Sequence, residues 1–267
     1  MNKIKAKNII MILLAVICVA VLLYSLYQGL IIYIPQKQEQ HRFDELRQSV
    51  LQDSEGSEEA SDSLQSSKAE TKSSSPAEEN RSGFVDIVRI NDDFRGWLKI
   101  KDMVIDYPVV KSSDDDPEFY LHRDYDKNYS FSGTPFIGAG ADENSDAFVI
   151  YAHNMNNDTM FGTLDFYADK EWAEQHPYIH FDTANEDRVY RVFAAFQTTI
   201  GGENEFKYNE RAGKLNDEEY TAFVKDIKEA SVMDTGDRPV KKSQIMMLST
   251  CSYHSEDGRF VVAAYRV

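Results

Sequence analysis

The most prominent hydrophobic feature is one uninterrupted run near the start of the chain. From Ile9 to Ile34 there is no charged residue, and only Cys18, Ser25, Gln28 and Gly29 interrupt the large apolar side chains. This run exceeds the roughly 20 apolar residues that a helix needs to cross a bilayer. A cleaved signal peptide would have an apolar core of about 7–15 residues and a small-residue cleavage site, and neither is present. The pattern predicts a retained transmembrane anchor over residues 9–34.

Charges flanking the apolar run predict its orientation. Three lysines and no acidic residue lie in the short segment 1–8, whereas three basic residues between positions 37 and 47 reduce the asymmetry on the other side. The positive-inside rule then keeps residues 1–8 in the cytoplasm and exports the chain after Pro35. We therefore expect a single-pass protein of the cell membrane with an extracellular domain.

Residues 35–82 lack a pattern that could form a core alone. From Gln36 to about Leu51 the chain is polar and favours helix, with Phe43, Leu46 and Val50 at helical spacing. Residues 53–82 are rich in Ser, Glu and Ala and nearly free of large apolar side chains. Such a composition cannot offset the entropy of ordering, so we predict a juxtamembrane segment followed by a disordered spacer.

Beyond residue 82 the hydrophobic pattern is mainly that of β-strands and predicts a folded domain over residues 83–267. A short helix starts near Ser82, and Pro108 belongs at a strand edge or bulge. Segments rich in β-branched and aromatic residues, separated by Gly, Asn or Asp, are residues 97–100, 104–110, 148–151, 189–198, 245–248 and 260–267. This mostly β pattern predicts a barrel or a sandwich.

Two helical passages interrupt the predicted strands. Residues 161–175 favour one or two short helical turns. Residues 217–230 form a clearer amphipathic helix, with Asn216 as N-cap and Glu219 at the capping-box position. The second helix lies between the late strands.

Composition narrows the classes of function. The net charge of −16 argues against a nucleic-acid partner, since such proteins need a basic surface. Two cysteines are present, and Cys18 lies in the predicted span. Cys251 is therefore the single exported thiol and cannot form an intramolecular disulfide. It is either a reactive group or a small buried hydrophobic residue.

Three residues at strand ends carry candidate chemistry. Cys251 follows a predicted strand, and Arg259 begins the next, so a hairpin would place them opposite each other. His153 follows the strand 148–151. A thiol with a pKa of about 8.5 needs a neighbouring imidazole to form thiolate and to protonate a leaving amine. A guanidinium, which stays charged, can stabilise an oxyanion. By position alone, His153 competes with other histidines, and Arg259 with a plain surface charge.

These residues lie in strings that resemble the signatures of class B sortases. The relevant strings are Leu-Ser-Thr-Cys at 248–251, Gly-Arg-Phe-Val-Val at 258–262, Tyr-Ala-His-Asn at 151–154 and Asp-Thr-Met-Phe at 158–161. Further similar strings are found at 91–98, 105–110, 120–121 and 132–136. The resemblance covers essentially all of residues 84–267.

The resemblance implies a closed eight-stranded β-barrel with N-terminal helices and a helix in the long loop before the cysteine strand. It implies cleavage of a C-terminal sorting signal resembling Asn-Pro-x-Thr through a thioester on Cys251, with His153 and Arg259 as the other catalytic residues. Ser249, Thr250 and Leu121 match the substrate groove. The implied partners are surface proteins that carry the signal and an amine of a peptidoglycan precursor or pilin, in a Gram-positive-type cell envelope. No cofactor or metal is implied.

Some segments differ from the family pattern. The acidic run Asp114–Asp116 stands where class B sequences have a polar Asn-containing loop, and residues 200–206 differ from the usual groove segment. The acidic run lacks the alternation and terminal Glu of a calcium loop, so we interpret it as a solvated turn. The competing interpretations are another extracellular cysteine hydrolase, an L,D-transpeptidase, or a non-catalytic surface module with a buried Cys251.

Overall fold

The computed structural model describes residues 3–55, 84–202, 205–251 and 257–267. Its helices are α1 (Lys3–Glu55), α2 (residues 84–90), α3 (Lys170–Gln175) and α4 (Asp217–Ala230). Short 3₁₀ helices span Phe119–His122, Leu164–Ala168 and Asn209–Arg211. The chain divides into two compact units, of which the first ends at Arg42 and the second begins at Phe43.

The part of helix α1 up to Arg42 belongs to the first unit, and its remainder from Phe43 belongs to the second. The stretch Met11–Val50 is long and apolar enough to cross a membrane, by length and composition alone. The large side chains described between residues 11 and 34 are exposed. The helix continues through Glu55, past residue 53, at which the sequence predicts that the disordered spacer begins. The rest of the predicted spacer lies outside the described residues.

The second unit is built on a closed barrel. Its strands are β1 (Phe94–Ile100), β2 (Asp106–Val110), β3 (Phe136–Ile137), β4 (Ala147–Tyr151), β5 (Tyr178–Asp182), β6 (Val189–Thr199), β7 (Ile245–Cys251) and β8 (Gly258–Arg266). Their order around the barrel is β1-β2-β3-β4-β7-β8-β6-β5. The β2–β3 and β4–β7 pairs are parallel and the others antiparallel. The predicted closed eight-stranded barrel is confirmed, and the sandwich is excluded.

The barrel has apolar contacts on both faces of its central strands. Met246 and Leu248 of β7 belong to the cluster that includes Phe148 and Phe181. Ile245 and Met247 alternate with them and belong to a second cluster that includes Phe223 and Ile227 of α4. Because successive strand residues point to opposite faces, covering both faces makes β7 an almost continuous apolar run.

Helix α4 lies between β6 and β7 in the chain, as predicted. The Asn216 side chain accepts hydrogen bonds from the backbone N–H groups of Glu218 and Glu219 at 3.0 and 2.9 Å. The Glu219 carboxylate accepts from the Asn216 backbone N–H at 2.8 Å. This reciprocal capping box satisfies N–H groups that the first turn leaves without partners and fixes where the helix begins.

The last part of α1 packs into the core of the second unit. Phe43 is 2% exposed and Leu46 is 1% exposed. The Phe43 ring meets Tyr107 edge to face at a centroid distance of 5.2 Å, and Arg47 forms an ion pair with Asp106 at 3.0 Å. The compact unit therefore starts at Phe43, whereas the sequence placed the folded domain at residues 83–267.

Candidate active site

Strands β7 and β8 place a thiol opposite a guanidinium. Cys251 is the last residue of β7 and pairs directly with Arg259 at the start of β8, as the spacing predicts. Cys251 is exposed, so the interpretation of this cysteine as a small buried hydrophobic residue was wrong. Residues 252–256 between the two strands lie outside the described residues.

Parallel pairing brings His153 to the same end of the barrel. β4 runs parallel to β7, with Tyr151 paired to Ser249, so both strands end at one edge of the barrel. Two residues beyond each of these paired positions, the chain reaches His153 and Cys251. The Asn154 side-chain amide donates to the Cys251 carbonyl at 2.9 Å. The histidine and cysteine segments are therefore joined just beyond the barrel edge.

All six predicted site residues line one cavity of about 360 Å³. Its lining includes His153, Cys251, Arg259, Ser249, Thr250 and Leu121. Apolar and aromatic groups form much of the remaining wall, among them Tyr151, Ile200 and Tyr208. A mostly apolar pocket with a few convergent polar groups is typical of a ligand site.

A backbone carbonyl defines the tautomer of His153. The ring atom Nε2 lies 2.9 Å from the Leu121 carbonyl oxygen. A carbonyl can only accept, so Nε2 carries a hydrogen. In the neutral ring Nδ1 is then the free acceptor. Burial lowers the pKa of His153, and the neighbouring His122 adds to this shift, whereas the Leu121 carbonyl opposes it. The neutral ring therefore predominates at pH 7.

Buried hydrogen bonds hold the segment that carries the Leu121 carbonyl. Tyr120 in the 3₁₀ helix is fully buried, and its hydroxyl donates to the Asp93 carboxylate at 2.6 Å. The Asn91 side-chain amide donates to the Tyr120 hydroxyl and to the Tyr125 carbonyl, each at 2.9 Å. Burial, followed by the bond to Asp93, raises the pKa of Tyr120. This network ties the partner of His153 to the start of β1.

The Arg259 guanidinium retains hydrogen-bonding capacity. Its Nη1 donates to the carbonyl of Gly258 at 2.9 Å. Within the described part of the chain, no carboxylate forms an ion pair with it. An arginine has five N–H donors and stays protonated in proteins. Donors therefore remain for a carbonyl or oxyanion of a bound substrate.

Ser249 and Thr250 lie in the cavity wall with their hydroxyls already engaged. They are 0% and 2% exposed. Ser249 Oγ lies 2.7 Å from the Tyr208 hydroxyl, and the Thr250 hydroxyl donates to the Ala152 carbonyl at 2.8 Å. Their assignment to substrate binding stays a prediction. Sequence reasoning missed Tyr208, which lies in a loop with no strand or helix pattern to mark it.

Comparisons with known proteins agree with this architecture. The Sortase domain family matches residues 98–267. Sortase B of Listeria monocytogenes is 30% identical over 184 residues, which cover 66% of this chain and 71% of that protein. Sortase B of Staphylococcus aureus is 28% identical over 265 residues, covering 96% of this chain and 95% of that protein. The solved complex of Staphylococcus aureus sortase B with a substrate superposes with a TM-score of 0.69 at 26% identity.

That superposition covers 88% of this chain and 98% of the solved chain, far more than one shared motif. The family match alone extends over more than half of the sequence. The chain therefore belongs to the sortase family, in class B, and is a cysteine transpeptidase.

Proposed function

We propose that this enzyme cleaves a C-terminal sorting signal of exported surface proteins and transfers the protein to an amine through a thioester on Cys251. The observation that carries the proposal is the convergence of Cys251, Arg259 and His153 on one cavity at one end of the barrel. A strand end on a rigid barrel holds each group at a fixed place, as nucleophilic catalysis requires.

Each group has a separate task in the proposed reaction. His153 accepts the Cys251 proton at Nδ1, and the thiolate attacks the carbonyl carbon of the signal. Arg259 donates hydrogen bonds to the oxygen on which negative charge develops. The carbon–nitrogen bond then breaks, and His153 returns the proton to the leaving amine. An incoming amine attacks the thioester, and the sulfur departs as thiolate.

The proposed substrate is a peptide with a core resembling Asn-Pro-x-Thr. Support comes from the class B membership and from a cavity whose apolar wall includes Leu121 and Ile200. The proposed acceptor is an amine of a peptidoglycan precursor or a pilin. We further propose that α1 anchors the enzyme in the cell membrane with the N-terminus in the cytoplasm, as the lysines before the apolar run favour.

The test uses the full-length chain in detergent with peptide libraries built on Asn-Pro-x-Thr and Leu-Pro-x-Thr cores, with and without a primary amine. We expect cleavage after Thr in the first library and transfer when the amine is present. Cys251→Ala should abolish cleavage, whereas the matched variant Cys18→Ala should retain it. Cleavage that persists in Cys251→Ala would refute the proposal.

A further inference from the structure

A row of aromatic rings leads from His153 to the protein surface. The rings of His153 and His122 lie 5.3 Å apart between centroids at an angle of 34°. The His122 ring in turn stacks with Tyr129 at 6.5 Å and 21°. Tyr129 is 74% exposed, and His122 is exposed as well. Neither belongs to the lining of the cavity that contains Cys251.

The backbone that carries the two outer rings is hydrogen-bonded on both sides of the turn. The Ser130 N–H donates to the His122 carbonyl at 3.1 Å, and the Asp124 N–H donates to the Asn128 carbonyl at 2.9 Å. Between these two hydrogen bonds, the backbones of Arg123 and Tyr129 form an antiparallel β-bridge. A side chain held by a paired backbone loses less freedom when a ligand binds. The backbone of the exposed tyrosine is thus held in a paired segment rather than in an unpaired loop.

The charge around this row favours a cation. The Arg123 guanidinium lies over the Phe119 ring, 5.3 Å from its centroid, and so already has an aromatic partner. Lys127, the other basic residue of this hairpin, is engaged in ion pairs with Asp92 at 3.1 Å and Asp93 at 3.0 Å. Asp124 and Asp126 lie in the same turn, and the whole chain has a net charge of −16. An ammonium group is attracted by the face of a tyrosine ring and by a negative protein field.

The position of the row identifies the reactant that it would contact. In the transfer step the acyl part of the substrate is attached to Cys251 in the cavity, and the incoming amine must come within hydrogen-bond reach of His153. The ring row adjoins His153 outside the cavity lining. On the basis of the proposed function, we infer that His122 and Tyr129 form an acceptor entry subsite, which binds the ammonium group of the incoming primary amine before the neutral amine moves within hydrogen-bond reach of His153.

The transfer step balances with the groups named. The bound ammonium first gives one proton to solvent. The amine nitrogen then attacks the thioester carbonyl carbon, and the electron pair of the carbon–sulfur bond returns to Sγ of Cys251. His153 removes a second proton from the nitrogen and passes it to the thiolate. The products are an amide and the free thiol, so no further reactant is needed.

The test is the partition of the thioester between an amine and water. The full-length enzyme is given the best peptide of the Asn-Pro-x-Thr library, with a glycine tripeptide as acceptor, and both products are quantified. An exposed cation–π contact of about 0.5–1 kcal/mol corresponds to a two- to five-fold change in binding. We therefore expect Tyr129→Ala to lower the ratio of transfer to hydrolysis about two- to five-fold below saturating acceptor. Tyr129→Phe should keep the ratio, and Tyr129→Leu should behave like Tyr129→Ala.

Two controls separate binding of the acceptor from a general effect. Hydroxylamine is small and uncharged at neutral pH, so its partition ratio should be the same in Tyr129→Ala and the unaltered enzyme. Tyr178→Ala removes a partly exposed tyrosine ring on β5 and should leave the glycine ratio unchanged.

Three results would overturn the subsite. An unchanged glycine ratio in Tyr129→Ala would show that the ring does not contact the acceptor. A normal ratio in Tyr129→Leu would show apolar contact instead of ammonium binding. An unaltered enzyme that cleaves no library peptide would refute the proposed function, and the subsite with it.

Discussion

Substitution of Phe43 tests most directly whether the second unit includes the last part of α1. Its ring is 2% exposed and meets Tyr107 edge to face at 5.2 Å. Replacing a buried Phe by Ala typically costs about 3–5 kcal/mol, of which an aromatic pair contributes about 0.5–1.5 kcal/mol. Domains are commonly stable by about 5–15 kcal/mol. We therefore expect Phe43→Ala to remove a large share of the stability of the second unit.

The same ring contact reaches the segment after His153. The Tyr107 hydroxyl accepts a hydrogen bond from the Met160 N–H at 3.2 Å, and the Phe161 N–H donates to the His153 carbonyl at 3.0 Å. Loss of the Phe43 ring removes packing from Tyr107. We expect transpeptidation by Phe43→Ala to be lost at a lower temperature than in the unaltered enzyme.

Urea unfolding of the full chain in detergent measures the change. Trp97 and Trp172 are the two tryptophans of the sequence, and both lie in the second unit, so their fluorescence follows that unit. Gln48→Ala, at an exposed position of α1, is the matched control and should stay within about 0.5 kcal/mol of the unaltered chain. If Phe43→Ala matched this control, α1 would not be part of the core.

Two further predictions concern the site. Arg259→Lys keeps the charge but loses the planar donors, so kcat/KM for peptide transfer should fall by about 10²–10³. A small alkylating reagent should still label Cys251 in this variant. Near-normal turnover would show that charge alone suffices. Burial lowers the pKa of His153, so the unfolded chain binds the proton first as pH falls. The neutral buried ring therefore contributes to the free energy of unfolding above a pH of about 6.5. This contribution is lost as the pH falls from there through the pKa of the folded state. The pH dependence of urea unfolding between pH 5 and 7.5 should therefore be weaker in His153→Gln, and an equal dependence would contradict the burial argument.

Elements whose hydrophobic pattern and capping residues lie within their own segment could be predicted from the sequence. The α4 helix has its own apolar face and a capping box at Asn216 and Glu219. β3 contains only two residues and pairs through Phe136 and Ile137. β5 buries only Ile179 and Phe181, between more exposed residues. β3 was missed because its neighbours in the barrel, rather than its own composition, make it a strand. β5 was missed because its alternation covers only five residues.

The site could be predicted only in part for the same reason. The Cys251–Arg259 pairing is local, since it follows from one hairpin. The approach of His153 depends on the parallel pairing of β4 with β7, which no local pattern encodes, and the family resemblance supplied it. The Leu121 carbonyl that contacts His153 is a backbone group, and every residue has one. Its role could emerge only from the folded structure.

The central claim is that Cys251 carries the acyl group, and intact-mass spectrometry tests it most directly. The full-length enzyme is mixed with a cleavable peptide without amine, quenched rapidly in acid, and digested to locate any adduct. We predict the mass of the acyl fragment on the peptide containing Cys251, its presence in Cys18→Ala, and its loss on addition of a primary amine. Peptide cleavage without an adduct on Cys251, and at an unchanged rate in Cys251→Ala, would contradict the account.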